Sequence, residues 1–160
     1  PDAVEAPDGG CAARVARHSA SVNTAAFSPD GALLVTASDD STAGVWDVVH
    51  LRLVRYLRGH TDQVNSAAFS ADGGRIVTAS RDGTFRVWET ATGRCLATLQ
   101  GRMGPLVRAA FAAWGARSLL VTVSAAGTVR LWTLDGAQVE RAARSFLGDA
   151  GSAPARDAGP

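Results

Sequence analysis

Apolar and polar positions along this chain fall into short runs, and turn residues divide the runs at nearly even intervals. Val22 to Phe27 has the pattern of a strand, and Ser28-Pro29-Asp30-Gly31 that of a turn with Pro, Asp and Gly well placed. Leu33 to Ser38 is an apolar, β-branched second strand, followed by a turn around Asp39-Asp40-Ser41 and a third strand ending at Val45-Trp46. Past a loop holding His50, Val54 to Leu57 supply a fourth. The plan then recurs: strand 64–69, turn Ser70-Ala71-Asp72-Gly73, strand 75–80, turn Arg81-Asp82-Gly83, strand 84–88, loop Thr90-Ala91-Thr92-Gly93, strand 95–99. Strands this short, divided by Gly and Asp turns, predict an antiparallel all-β fold.

The recurrence has a fixed period. Phe27, Ser38, Asp40 and Trp46 each precede Phe69, Ser80, Asp82 and Trp88 by 42 residues. Phe111 follows Phe69 by the same 42, after which two residues are gained, so Ser124 and Trp132 fall 44 after Ser80 and Trp88. Register held at a period near 40 marks an array of structural repeats. The third unit has drifted. Its first turn, Ala112-Ala113-Trp114-Gly115, lacks polar turn residues, while Leu119 to Ser124 and Thr128 to Trp132 keep the second and third strands. Val139 to Ala143 is a marginal fourth. Cys11 to Ala16 aligns with Cys95 to Gln100, as though the chain opened on the last strand of an earlier unit. The expected organisation is a flexible lead-in over 1–10, an outer strand of a preceding unit over 11–17, and three units over 18–58, 59–100 and 101–145, the third degenerate. Residues 146–160, rich in Gly, Ala and Pro, are expected to be a disordered tail.

Composition narrows the classes. With 46% hydrophobic and 19% charged residues, the 160-residue chain can bury a core. The net charge is +1, and the 16 basic residues, all Arg, are scattered rather than clustered, which argues against a nucleic-acid surface. No apolar run reaches membrane-span length, and no signal-like N-terminus is seen. A membrane partner is therefore not expected. Cys11 and Cys95 lie two repeats apart, too far for a disulfide, and are expected to be free thiols in a reducing, cytoplasmic setting. The opening at Pro1 reads as that of an excised piece.

Each intact unit holds a His, a Ser, an Asp and a Trp: His18, Ser38, Asp40 and Trp46 in the first, His60, Ser80, Asp82 and Trp88 in the second. Ser, His and Asp invite a hydrolase reading. A catalytic triad, however, is built once, on a strained and exposed turn, whereas this set recurs with the scaffold. The structural reading is preferred, with no catalytic residue and no cofactor: a buried network in which hydroxyl, imidazole and indole N–H satisfy one another and the Asp accepts from the ring and from turn amides. The third unit retains Ser124 and Trp132 of this set. The Asp39-Asp40 pair has no third ligand at metal spacing, so no metal is expected.

The pattern Gly59-His60, Ser80-Arg81-Asp82, Trp88-Glu89, together with Trp46-Asp47, resembles the WD-repeat β-propeller family over about residues 11–145. The resemblance implies three four-stranded antiparallel blades plus a leading outer strand, a partial propeller, with the recurring His, Ser, Asp and Trp forming an internal network. The third unit departs from it, with Arg102 in place of the His, Ala126 of the Asp and Thr133 of the final Asp. It also implies a partner-binding face at Ser21, Asn23 and Asp39 of the first blade, Gln63, Asn65 and Arg81 of the second, and Pro105, Val107 and Ala125 of the third. Three blades do not close a ring, so further blades in cis or in other copies are expected partners. The function implied is a non-catalytic scaffold for proteins or peptides, a segment of a larger multidomain signalling or regulatory protein. The alternative is a small-ligand-binding or hydrolytic propeller that uses its central channel.

Overall fold

The structure, a computed structural model, describes residues 18–100, 104–114 and 117–133. Strands β1 (Val22–Phe27), β2 (Leu33–Ser38), β3 (Thr42–Asp47) and β4 (Arg52–Arg58) form one antiparallel sheet in chain order. Strands β5 (Val64–Phe69), β6 (Arg75–Ser80), β7 (Thr84–Glu89) and β8 (Cys95–Gln100) form a second sheet of the same design. The third contains β9 (Leu106–Trp114), β10 (Arg117–Ser124) and β11 (Val129–Thr133). The described residues are all-β, a partial propeller of three blades. The lead-in 1–10, the strand 11–17, the fourth strand expected at Val139–Ala143 and the tail 146–160 lie outside them.

Local chemistry sets the strand ends. Ser28 Oγ donates to Asp30 Oδ1 at 2.6 Å and accepts the Leu33 amide at 2.8 Å, closing the β1–β2 turn. Ser70 Oγ does the same with Asp72 at 2.5 Å and the Arg75 amide at 2.9 Å. The third unit lacks such a serine and aspartate, and the strands run on: Trp114 pairs with Arg117. The turn expected at Ala112-Ala113-Trp114-Gly115 is thus strand through Trp114, because nothing there folds the chain back sooner. At the opposite end the β6–β7 and β10–β11 turns use Gly83 (φ 81°) and Gly127 (φ 79°), while the β2–β3 turn puts Ser41 at φ 67°. That left-handed geometry strains any residue with a Cβ.

The blades stack through two apolar joints. Val35 and Val45 of the first blade pack with Val64 and Ile76 of the second, and Val77, Phe85 and Val87 of the second pack with Leu106 and Leu120 of the third. Burying each such side chain contributes about 1.5–3 kcal/mol over leaving it exposed. Central strands β2, β3 and β6 are covered on both faces, so they read as near-continuous apolar runs.

Each first strand carries a bulge at its start. Val22 faces Ser38 and Thr24 faces Ala37, which leaves Asn23 as the extra residue. Asn65 and Val107 are the extra residues in β5 and β9. A bulge re-aims one side chain, and here it aims Asn23 and Asn65 across the joints toward the next blade.

Candidate functional site

The polar core of each intact blade is built around a threonine. Trp88 Nε1 donates to Thr78 Oγ1 at 2.9 Å, and the same oxygen lies 2.7 Å from His60 Nε2. On its other side the ring meets Asp82, with Nδ1 to Oδ2 at 2.9 Å. Asp82 also takes the Thr61 amide at 3.1 Å, the Thr84 amide at 2.8 Å and the Thr84 hydroxyl at 2.6 Å. The first blade repeats this. Trp46 Nε1 donates to Thr36 Oγ1 at 2.8 Å, His18 Nε2 lies 2.7 Å from that oxygen, and His18 Nδ1 lies 2.8 Å from Asp40 Oδ2.

Protonation follows from these partners. Burial opposes ionisation of Asp82 and is the largest single influence on it. The Thr84 hydroxyl and amide, His60 and the Thr61 amide together outweigh burial and hold the carboxyl at about 2. For Asp40 burial is again opposed, by Thr42, His18 and the Ser19 amide, and its pKa also falls to about 2. Burial pushes the His60 imidazole below its ordinary value, against the hydrogen bond and charge of Asp82. At neutral pH a carboxylate therefore faces a neutral ring. Nδ1 carries the proton and donates to Asp82, which leaves Nε2 as an acceptor for the Thr78 hydroxyl. The bonds run one way: indole to hydroxyl, hydroxyl to imidazole, imidazole to carboxylate.

The recurring serine has a different place from the one expected. Ser80 Oγ donates to Asp62 O at 3.1 Å and accepts the Asp82 amide at 3.1 Å. Ser38 is bound in the same way to Ala20 O and the Asp40 amide. Neither serine touches its histidine. Both are fully buried and hold the turn, while Thr36 and Thr78 occupy the position between ring and indole. Sequence reasoning missed these threonines, although Thr36, Thr78 and Thr122 recur at the repeat spacing. In the third blade Trp132 Nε1 still reaches Thr122 at 2.9 Å, and Ser124 Oγ accepts the Thr128 amide at 3.1 Å. Ala126 stands where the Asp would be, and Arg102 lies outside the described residues.

On the rim, the amides of Asp39, Arg81 and Ala125 donate to the carbonyls of Ser21, Gln63 and Pro105, each at 2.9 Å. These pairs bring the expected rim residues together blade by blade. Asn23 Nδ2 donates to Asp39 Oδ1 at 2.7 Å and crosses the joint to Val64 O at 3.0 Å, and Asn65 Nδ2 crosses to Leu106 O at 2.7 Å. Both asparagines thus clamp one blade to the next, which the sequence did not reveal. Thr24 and Ser66 add hydroxyl bonds across the same joints, to the Ala67 amide and the Ala109 carbonyl. Val107 and Arg108 take the corresponding places in the third blade. Ser21, Arg81, Pro105 and Val107 remain exposed, and Arg81 Nη1 lies 3.5 Å from Gln63 Oε1.

Other candidates have local duties. Asp39 serves Asn23 and Asp40 serves His18, and no group of three metal-type ligands occurs among the described residues. His50 caps its own loop through Asp47, with Nδ1 at 2.8 Å from the carboxylate. Cys95 is an exposed free thiol, and Cys11 lies outside the described residues. No helix among the described residues is long and apolar enough to cross a membrane. The family described as WD domain, G-beta repeat matches residues 9–47 and 51–89. No curated protein matches the chain.

Proposed function

Because the chain belongs to the WD-repeat family, whose repeats generally mediate protein–protein interaction, we propose that it is a non-catalytic scaffold that binds a protein or peptide on its rim. One observation carries this reading. The repeated polar residues are consumed inside the blades, whereas the rim positions on equal backbone differ from blade to blade: Ser21, Gln63 and Pro105 in one row, Asp39, Arg81 and Ala125 in the other. A surface that departs from the repeat while its support obeys it suits recognition. Arg81 offers a cation to an acidic side chain, and Pro105 with Val107 offers an apolar seat beside it. The free Cys95 thiol suits a reducing, cytoplasmic compartment, and the role fits a module of a larger signalling or regulatory protein.

The test compares affinity capture by wild type with capture by Arg81→Glu and Pro105→Glu variants whose far-UV spectra and melts match it. A partner held by the wild type and released by both substitutions supports the reading. Capture indifferent to the rim, or turnover of a small substrate that these substitutions leave intact, overturns it.

A further inference from the structure

Arg86 of β7 is a partly buried cation that no acid answers. Its Nε is sealed from solvent without a hydrogen-bond partner, and no carboxylate among the described residues lies within ion-pair distance of its guanidinium. Packing holds the group instead. It lies against the Gly59 main chain, where a Cβ would come within 2.5 Å of Nη1 and 3.1 Å of Cζ. Its Cζ is also 5.9 Å from the centre of the Trp88 ring. Burial keeps His60 neutral and the Arg86 charge adds to that, so the ring supplies no counter-charge. Asp82 gives its carboxylate to that ring and to the turn. The fold does not demand a cation here. Gly44 faces Thr36 in the first blade where Arg86 faces Thr78 in the second, and Arg130 takes the position in the third.

We propose that Arg86 anchors a binding site for an oxyanion of the phosphate class, where the chain leaving β4 crosses β7 at the first joint. A guanidinium drawn out of water without a counter-charge is costly, and a bound anion removes that cost. Nε alone of its three nitrogens is both sealed and unpartnered; Nη1 and Nη2 make no hydrogen bond either and remain open, so they are what a ligand meets. Stacking on Gly59 fixes the plane of the fork before any ligand arrives, which suits two-point recognition of an oxyanion. Thr98 stands directly opposite Arg86 on β8, on the same face of the sheet. Among the described residues its hydroxyl meets only the Cys95 thiol, at 3.5 Å, and so is available as a third donor. Arg58, the residue before Gly59, is exposed and pairs with no carboxylate among the described residues, which adds positive field. Two guanidinium donors and a hydroxyl outnumber the oxygens of a carboxylate, and a nearly doubly charged phosphate answers both arginines. The group is either free phosphate or the phosphoryl ester of a partner's side chain. This inference goes beyond the rim reading and does not rest on it.

Calorimetric titration of the full chain with inorganic phosphate tests it, near neutral pH and at constant ionic strength made up with chloride. Arg86→Gln and Thr98→Val variants whose far-UV spectra match the wild type are titrated beside it. Saturable one-to-one binding by the wild type is expected, weakened at least about tenfold by Arg86→Gln and less by Thr98→Val. Phosphate should raise the urea midpoint of the wild type and give Arg86→Gln only the small rise that an excluded salt gives any protein. A peptide bearing phosphoserine, set against its unmodified twin, separates the two sources. Binding of the phosphopeptide, with inorganic phosphate competing, assigns the group to a partner, whereas binding of inorganic phosphate alone makes it a free ion. Should Arg86→Gln misfold, Arg86→Lys takes its place; it keeps the charge without the fork, and weaker binding is again expected. No saturable binding of either probe, or binding and midpoint shifts equal in the wild type and the Arg86 variant, overturns the proposal.

Discussion

Replacing Thr78 by valine removes one oxygen from the centre of the second blade and almost no volume. That oxygen receives the Trp88 indole N–H at 2.9 Å and lies 2.7 Å from His60 Nε2. Both partners sit in the buried interior, so neither finds water when it goes. A buried group left without its partner costs about 1–3 kcal/mol, which puts the loss for two of them at about 2–6 kcal/mol. The added methyl offsets a fraction of this. Thr122→Val is the internal comparison. There the described partner is the half-buried Trp132 indole alone, and the loss should be about 1 kcal/mol. Urea unfolding followed by far-UV circular dichroism reads both, at one fixed protein concentration because association would shift the midpoint. A cycle with Trp88→Phe should show the two losses to be less than additive, since each disables the same bond. A Thr78→Val loss no larger than that of Thr122→Val refutes the one-way wiring.

Acid should unfold the chain in two steps. Between 6.5 and the lowered value of His60 the unfolded state binds more protons, so stability declines gently as pH falls below about 6.5. Asp40 and Asp82, held at about 2 against 3.8, add a steeper loss from about pH 4 downward, about 1–2 kcal/mol each after allowance for solvent. A melting midpoint flat from pH 7 to 3, or an acid limb unchanged in Asp82→Asn, contradicts this. Asn65→Ala removes the bond to Leu106 O and should loosen the second joint by about 1 kcal/mol, seen as faster amide exchange in β9 with β1 and β2 unaffected. Ser41→Gly should raise the midpoint in urea by relieving a left-handed residue, a gain of about 0.5–1 kcal/mol, since Gly83 and Gly127 fill that place in the sister turns. A lowered midpoint there would mean that the serine has a duty its backbone does not reveal.

Much of the architecture could be read before any coordinates because turn chemistry is local. Ser28 with Asp30 and Ser70 with Asp72 announce their turns in four residues, and β1 and β5 stop just before those signals while β2 and β6 start just after them. The threonine at the heart of each network was harder to see. A Thr in a β-branched strand looks like a strand former, and only the meeting of β2 with the indole of β3 gives its hydroxyl a task. The bulges at Asn23 and Asn65 were hidden for a related reason. Side-chain pattern shows which face a residue occupies but not that the backbone has slipped by one, and that slip turns a rim asparagine into a clamp. The exposure of Val22 and Val129 is likewise a matter of neighbours, since their counterparts in the middle of the array are as apolar and fully hidden.

The hairpin between β9 and β10 shows where length is free in this fold. Two added residues have gone into longer strands, nine and eight residues against six in their counterparts, while Leu106 and Leu120 stay sealed and Ala125 still bonds Pro105 at 2.9 Å. The insertion grows away from the joints and leaves the rim undisturbed. That corner is a socket: a foreign loop or binding peptide could be spliced between Trp114 and Arg117 without asking the blades to move. One end of each blade is ruled by register, and the other is open to invention.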